Sequence, residues 1–226
     1  MLALVFLLMN FLVSPQIMEQ RLFYRDFPEV KIISHDGKNF HLRQLSYQKP
    51  LIVTFIFTKC RGICSPLVSS LKNAILNSRE KEKYLAFILS FDPDDRLEDM
   101  KNYAEVFEVS SKNQPDIIFG IIEPERREKF LKSLEFEYKE IEGTDQYDHS
   151  AVIYALYKGK IMGMIFGAKF GSKEIDRIIK NALGDWEISY ALPDPRIPYR
   201  CYGYNLSTGK FEIDMGLLLM YLPWFL

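Results

Sequence analysis

TFIFTKCRGICSPLVSSL, residues 54–71, is the stretch that decides how this chain folds. It overlaps an apolar, β-prone run, LIVTFIF at 51–57, which reads as a buried strand. The run stops at Thr58 and Lys59, and Cys60 and Cys64 follow four residues apart. From Pro66 the pattern changes to a helix expected over 66–79, with Leu67, Leu71, Ala74, Ile75 and Leu76 mostly on one face. A strand thus delivers two thiols to the mouth of a helix. Free backbone N–H groups and the positive end of the helix dipole favour thiolate over thiol there, and thiolate is the form that attacks disulfides or binds soft metals. Lys59 and Arg61 act in the same direction.

Plainer readings compete with a functional dithiol. Three cysteines in 226 residues can fall at this spacing by accident, and a lone cysteine often packs as a small hydrophobe. A structural disulfide is the stronger competitor, because the chain reads as exported and oxidising compartments preserve such bonds. Against it, a bridge closing so short a loop stabilises little in the chain-entropy model.

Composition bounds the rest. With 48% hydrophobic and 26% charged residues the chain supports one core and a small appendage, so one domain is expected. Lys plus Arg number 29 against 30 Asp plus Glu, a formal charge of −1, which gives no basic surface for nucleic acid. Three cysteines and three histidines rule out a multi-site zinc protein and leave room for one compact metal site.

Both ends depart from this texture. MLALVFLLMNFLV at 1–13, broken by Ser14 and Pro15, reads as a signal peptide or short membrane anchor within 1–20, although no Lys or Arg precedes the apolar core. At the far end MGLLLMYLPWFL, 215–226, is apolar but shorter than the ~20 residues a spanning helix needs. It is expected to associate with a membrane, with Tyr221 and Trp224 at headgroup level, or to pack on the domain as a flap. Between them, 21–184 reads as the domain and 185–214 as an irregular arm rich in proline and tyrosine around Cys201.

Within the domain, His35-Asp36-Gly37-Lys38 between short apolar runs marks an N-terminal hairpin. His35 and His41 read there as solvent-facing or structural. After the dithiol come an apolar strand at 84–91, an acidic turn at Asp92-Pro93-Asp94-Asp95, and a helix over 96–108. A strand at 116–122, a charged helix at 123–134 and an extended piece at 136–141 follow. A polar loop at 143–150 leads into a hairpin, 151–157 and 161–166, and a last helix at 171–183. This order is that of an α/β, thioredoxin-like fold with an N-terminal hairpin, an inserted β-hairpin and an irregular C-terminal arm.

CxxxC is one residue longer than the CxxC of a thioredoxin-type exchanger, and the extra residue lets the sulfurs splay around an ion. Two thiolates suit Cu(I), and an added imidazole makes a site that also holds Cu(II). His149, in the polar loop that a thioredoxin-like layout sets beside the dithiol, is the candidate third ligand, with Asp148 as the group that would orient its ring. Spacing alone leaves open whether a loop histidine ligates anything.

Three segments in this order, TFIFTKCRGICSP, SFDPDDR (90–96) and YDHSAVIYAL (147–156), resemble the diagnostic segments of the Sco/SenC family of copper-binding, thioredoxin-fold proteins involved in cytochrome c oxidase assembly. The resemblance spans roughly 30–183. It implies copper bound by Cys60, Cys64 and His149, and a membrane-tethered domain outside the cytoplasmic membrane or in the mitochondrial intermembrane space. It also implies, as partners, the oxidase subunit carrying the Cu(A) site and other copper chaperones. Delivery of copper, reduction of the Cu(A) cysteines, or both, would be the task. Two departures stand out: Ser65 separates Cys64 from Pro66, which suggests a first helical turn displaced by a residue, and the acidic turn orders its charges differently, so no role passes to Asp94, Asp95 or Arg96. The tail at 200–210, RCYGYNLSTGK, resembles an extension ahead of a C-terminal membrane segment in some bacterial members. Cys201 is open to three roles: free thiol, third soft ligand, or link to another protein.

Other functional classes remain open. A thiol-disulfide oxidoreductase would use Cys60 to attack and Cys64 to resolve, and a copper or redox sensor would use the same ligands. A peroxidase has no third element in its favour.

Overall fold

The computed structural model describes residues 21–110, 114 and 116–185, together with the backbone of 204–205 and 210–211. The leader, Cys201 and the apolar tail lie outside the described residues. Of the 185–214 arm, only a short antiparallel pair is described, Tyr204–Asn205 with Lys210–Phe211. Among the described residues no helix is long and apolar enough to cross a membrane.

In chain order the domain runs β1 (Lys31–Ser34), β2 (Asn39–His41), α1 (Leu42–Ser46), β3 (Leu51–Ile56), α2 (Cys64–Leu76), β4 (Leu85–Ser90), α3 (Leu97–Val106), β5 (Ile117–Ile122) and α4 (Pro124–Ser133). There follow β6 (Tyr138–Glu140), β7 (Tyr147–His149), β8 (Val152–Tyr157), β9 (Lys160–Phe166) and α5 (Ser172–Leu183). Seven strands form one sheet in the order β2-β1-β5-β4-β3-β8-β9, with β3, β4 and β5 parallel and the flanking pairs antiparallel. This is the expected thioredoxin-like α/β arrangement.

Burial explains the order. Every residue of β3 is buried, as a strand covered on both faces requires, and the run LIVTFI is apolar apart from Thr54. That one hydroxyl is satisfied by donating to the Val152 carbonyl at 2.8 Å. Phe55, beneath the sheet centre, meets the rings of Phe130, Phe136 and Tyr154, so α4 and the segment after it pack on that face. Each such buried ring or aliphatic chain contributes ~1.5–3 kcal/mol, and the core runs unbroken from Leu22 to Ile179. α5 packs on β8, β9 and α2.

Turn chemistry follows the sequence closely. Gly37 takes φ +81° in the first hairpin. Lys158 and Gly159 take φ 50° and 74° between Tyr157 and Lys160, the left-handed pair that a two-residue hairpin needs.

Two expectations need correction. α2 starts at Cys64 rather than at residue 66, and ends at Leu76 rather than 79. Pro66 is tolerated in its first turn because the amide it lacks would have had no intrahelical acceptor. The Cys64-to-Pro66 spacing therefore draws the second thiol into the helix, where a later start had been expected. The supposed polar loop at 143–150 also contains a strand: β7 pairs antiparallel with β6 as a separate two-stranded sheet, Tyr138 opposite His149. Polar composition hid it, because Tyr147 and His149 are covered by packing against other rings and not by a run of aliphatic neighbours.

At Gly120 in β5 a Cβ would lie 2.6 Å from the Ile33 carbonyl oxygen across the β1 pairing. Gly120→Ala is expected to lower unfolding free energy by ~1–3 kcal/mol, as overpacking does, read as a lower urea midpoint; an unchanged midpoint would mean that the β1 edge gives way freely.

Candidate metal and thiol site

The register of the central sheet brings the candidate residues together. β3 and β8 pair antiparallel with Leu51 opposite Leu156 and Thr54 opposite Ile153. Continuing that alternation four residues past Thr54 sets position 58 against position 149. The chain leaving β3 toward Cys60 and the chain entering β8 from His149 therefore emerge at the same edge. One ligand atom each from Cys60, Cys64 and His149 lies within 4.8 Å of the others, a cluster found among the described residues. Cys64 Sγ and His149 Nε2 are 3.4 Å apart.

The three donors differ in burial. Cys64, as first residue of α2, is fully buried, and His149 is 1% exposed. Cys60 is half-buried, on the turn where its N–H donates to the Phe57 carbonyl at 3.3 Å. Cys60 is thus the most accessible of the three residues, while Cys64 and His149 are enclosed. Behind β7 a cleft of about 720 Å³ is walled by α4 on one side and by β6 and β7 on the other, with His149 in its lining.

Aromatic rings fix the imidazole. Phe91, Phe57 and Phe136 stand 5.1, 5.8 and 6.0 Å from it, centroid to centroid. Its Nδ1 meets the Ser150 carbonyl at 3.2 Å, a backbone contact on the ring that the sequence reading did not include. Donation from Nδ1 to that oxygen leaves Nε2 with its lone pair toward the sulfurs, the tautomer that a metal ligand needs. Tyr147, against Phe57 and Phe91, donates to Asp92 at 3.3 Å. Burial, helped by the Asp92 carboxylate, pushes its hydroxyl up to about 12.

Two polar residues escaped the sequence reading. Asp95, given no role there, is 7% exposed and gathers the ends of both inner strands. Its carboxylate accepts from Thr58 N–H at 2.8 Å, Thr58 Oγ1 at 2.5 Å and Ser90 Oγ at 2.6 Å. Gln146, also buried, contacts the backbone around Cys60, with its Oε1 accepting from Arg61 N–H at 3.1 Å and its Nε2 donating to the Lys59 carbonyl at 3.0 Å. Nothing in a single sequence marks a glutamine for that task, whereas an acidic residue just past a strand end in a β-α turn was a visible signal for Asp95. Arg61, read as a neighbour favouring thiolate, pairs with Asp145 at 3.3 Å in an exposed ion pair of small energetic weight. His35 and His41 take no part in the cluster: His35 Nδ1 meets the Phe119 carbonyl, and His41 is exposed.

A thioredoxin-like α/β domain with a dithiol at a helix mouth and a buried imidazole converging on it defines the class. The family follows directly: a model described as SCO1/SenC matches residues 23–184, and the chain belongs to that family. Solved structures agree in fold. Bradyrhizobium japonicum ScoI with copper bound is 21% identical, covering 70% of this chain and 99% of its own, at a TM-score of 0.57. A SCO1/SenC family lipoprotein from Bacillus anthracis str. Ames is 22% identical, covering 71% and 96%, at 0.60. BsSco, described with a disulfide switch as a member of the Sco family of cytochrome c oxidase assembly proteins, is 22% identical, covering 73% and 96%, at 0.58. No match is found among curated proteins.

Desolvation, outweighing the hydrogen bonds from Ser90 and Thr58, raises the pKa of Asp95 above the ordinary carboxylate range. A group bound to its proton more tightly when folded gives stability that is lost as pH rises from the unfolded value through the folded one. The parent should therefore lose stability relative to Asp95→Asn as pH climbs above ~4, measured as the difference between their urea midpoints across pH. A difference that stays flat would show that the carboxylate ionises in the folded protein as it does unfolded.

Proposed function

We propose that this protein is a copper-binding metallochaperone that takes the metal as cargo on Cys60, Cys64 and His149. The observation carrying this reading is the convergence of two sulfurs and one imidazole nitrogen within 4.8 Å, with Cys60 half-buried and the other two residues enclosed. Donors sharing one first-row ion at ~2.0–2.3 Å stand roughly 3.5–4 Å apart, so a small inward shift of the Cys60 turn suffices. Two soft thiolates favour Cu(I), and the imidazole extends the set to Cu(II). That ScoI from Bradyrhizobium japonicum holds copper on the same fold supports the choice of metal.

In this reading the physiological task is assembly of the Cu(A) site of cytochrome c oxidase, through copper delivery, thiol reduction or both. The oxidase subunit carrying that site is the recipient, and other copper chaperones are the source. Support comes from the oxidase-assembly description of BsSco. The lipoprotein relative supports attachment of the domain to a membrane, and reading 1–20 as a signal peptide or short membrane anchor favours an extracytoplasmic face.

Unequal burial of the thiols also favours a second reading as a thiol-disulfide reductase. The Cys60 thiolate would attack a substrate disulfide and release one substrate thiolate. Cys64 would then displace the other, leaving a Cys60–Cys64 disulfide, with two electrons and two protons passed to the substrate. The disulfide switch described for BsSco supports this chemistry.

Copper titration separates the readings. Cys60→Ala and Cys64→Ala should each weaken or remove the thiolate-to-Cu(II) absorption of the reduced protein. His149→Ala should weaken Cu(II) more than Cu(I), by more than the ~10–100-fold typical of losing an outer-shell partner. Copper binding equal to the parent in all three would remove the site. Metal-free turnover of a model disulfide, abolished by either cysteine substitution and indifferent to His149→Ala, would instead select the reductase.

A further inference from the structure

Gln146 is 5% exposed, and a primary amide buried to that degree needs partners for both its ends. It finds them on the two peptide groups that flank Cys60. Nε2 donates to the Lys59 carbonyl at 3.0 Å, and Oε1 accepts from the Arg61 N–H at 3.1 Å. The side chain thereby pairs with the turn as the backbone of a neighbouring strand would. Nε2 also lies within reach of the Asp145 carbonyl and carboxylate, at 3.2 and 2.9 Å, and Gln146 N–H donates to Thr144 Oγ1 at 3.2 Å. These contacts hold the amide to its own loop.

The backbone of Gln146 lies immediately before β7, in the hairpin that carries the imidazole. Its carbonyl accepts from Ile141 N–H at 2.8 Å, closing the β6–β7 hairpin, and His149 ends β7 three residues later. Cys60 and His149 stand 89 positions apart in sequence, on elements joined mainly through the sheet. Of the three donors, Cys60 is on a turn outside the helix and the strands, so it is the one whose position most depends on a local tether. The nearby Arg61–Asp145 pair is exposed and weakened by salt.

We propose that Gln146 is a positioning residue for metal binding, its amide clamping the backbone on both sides of Cys60 to the hairpin that bears His149. The metal role rests on the copper reading above, whereas the clamp itself belongs to the metal-free protein. Methionine fills the same volume without either hydrogen bond. Glutamate keeps an acceptor for Arg61 N–H but turns a second acceptor toward the Lys59 carbonyl.

The experiment uses the reduced full chain and its Gln146→Met and Gln146→Glu variants. Amide hydrogen exchange at Arg61 is measured without metal, and Cu(II) loss to EDTA is followed through the thiolate-to-Cu(II) absorption. With two ordinary hydrogen bonds removed, Gln146→Met should speed both by about tenfold or more. Gln146→Glu should restore Arg61 protection and release Cu(II) at an intermediate rate. Parent-like exchange at Arg61 in Gln146→Met would overturn the clamp, and faster exchange with parent-like copper release would overturn the positioning role. If the parent itself shows no thiolate-to-Cu(II) band, the copper reading fails separately. The clamp is then judged on metal-free alkylation of Cys60 by iodoacetamide, which Gln146→Met should accelerate and which an unchanged rate would refute.

Discussion

The antiparallel pairing of β8 against β3 is the constraint on which the site depends. Because the two strands run in opposite directions, the exit of one and the start of the other share an edge, and the register Thr54 opposite Ile153 sets which residues meet there. A slip of one residue would turn every side chain of β8 to the opposite face of the sheet. The hydrogen bond from Thr54 to the Val152 carbonyl resists that slip from inside the core, where a lone hydroxyl is costly to leave unpaired. A fully buried polar side chain in an otherwise apolar strand thus specifies alignment.

Beyond that register, the site is held by two kinds of contact. Around His149 the support is apolar: three phenylalanine rings limit the imidazole to one orientation without competing for its nitrogens. Around the Cys60 turn it is polar, since a turn leaves backbone groups unpaired and side chains must supply partners. Asp95 takes the Thr58 end and Gln146 takes the peptides beside Cys60. The rigid wall sits behind the enclosed donors, and the tethered turn carries the exposed one. In the copper reading proposed above, an ion passing to or from another protein would meet Cys60 first.

Most elements were legible because local signals agreed with the tertiary context. Continuous apolar runs marked β3 and β4, turn residues marked the hairpins at Gly37 and Gly159, and one apolar face marked α2. The signals failed where tertiary packing overrode composition. β7 looked like a polar loop because its burial comes from aromatic partners in distant segments, and α2 began early because a proline in the first turn breaks no hydrogen bond.

The residue types and their spacing alone determined the chemistry on offer: two thiols joined to a helix mouth, a histidine near a later hairpin, and a layered α/β scaffold to carry them. Only the folded chain decided that the imidazole points at Cys64, that the Ser150 carbonyl meets its Nδ1, and that Asp95 and Gln146 hold the turn. Those outcomes depend on which residues distant in sequence become neighbours. Strand register and ring packing set that, and neither leaves a local pattern along the chain.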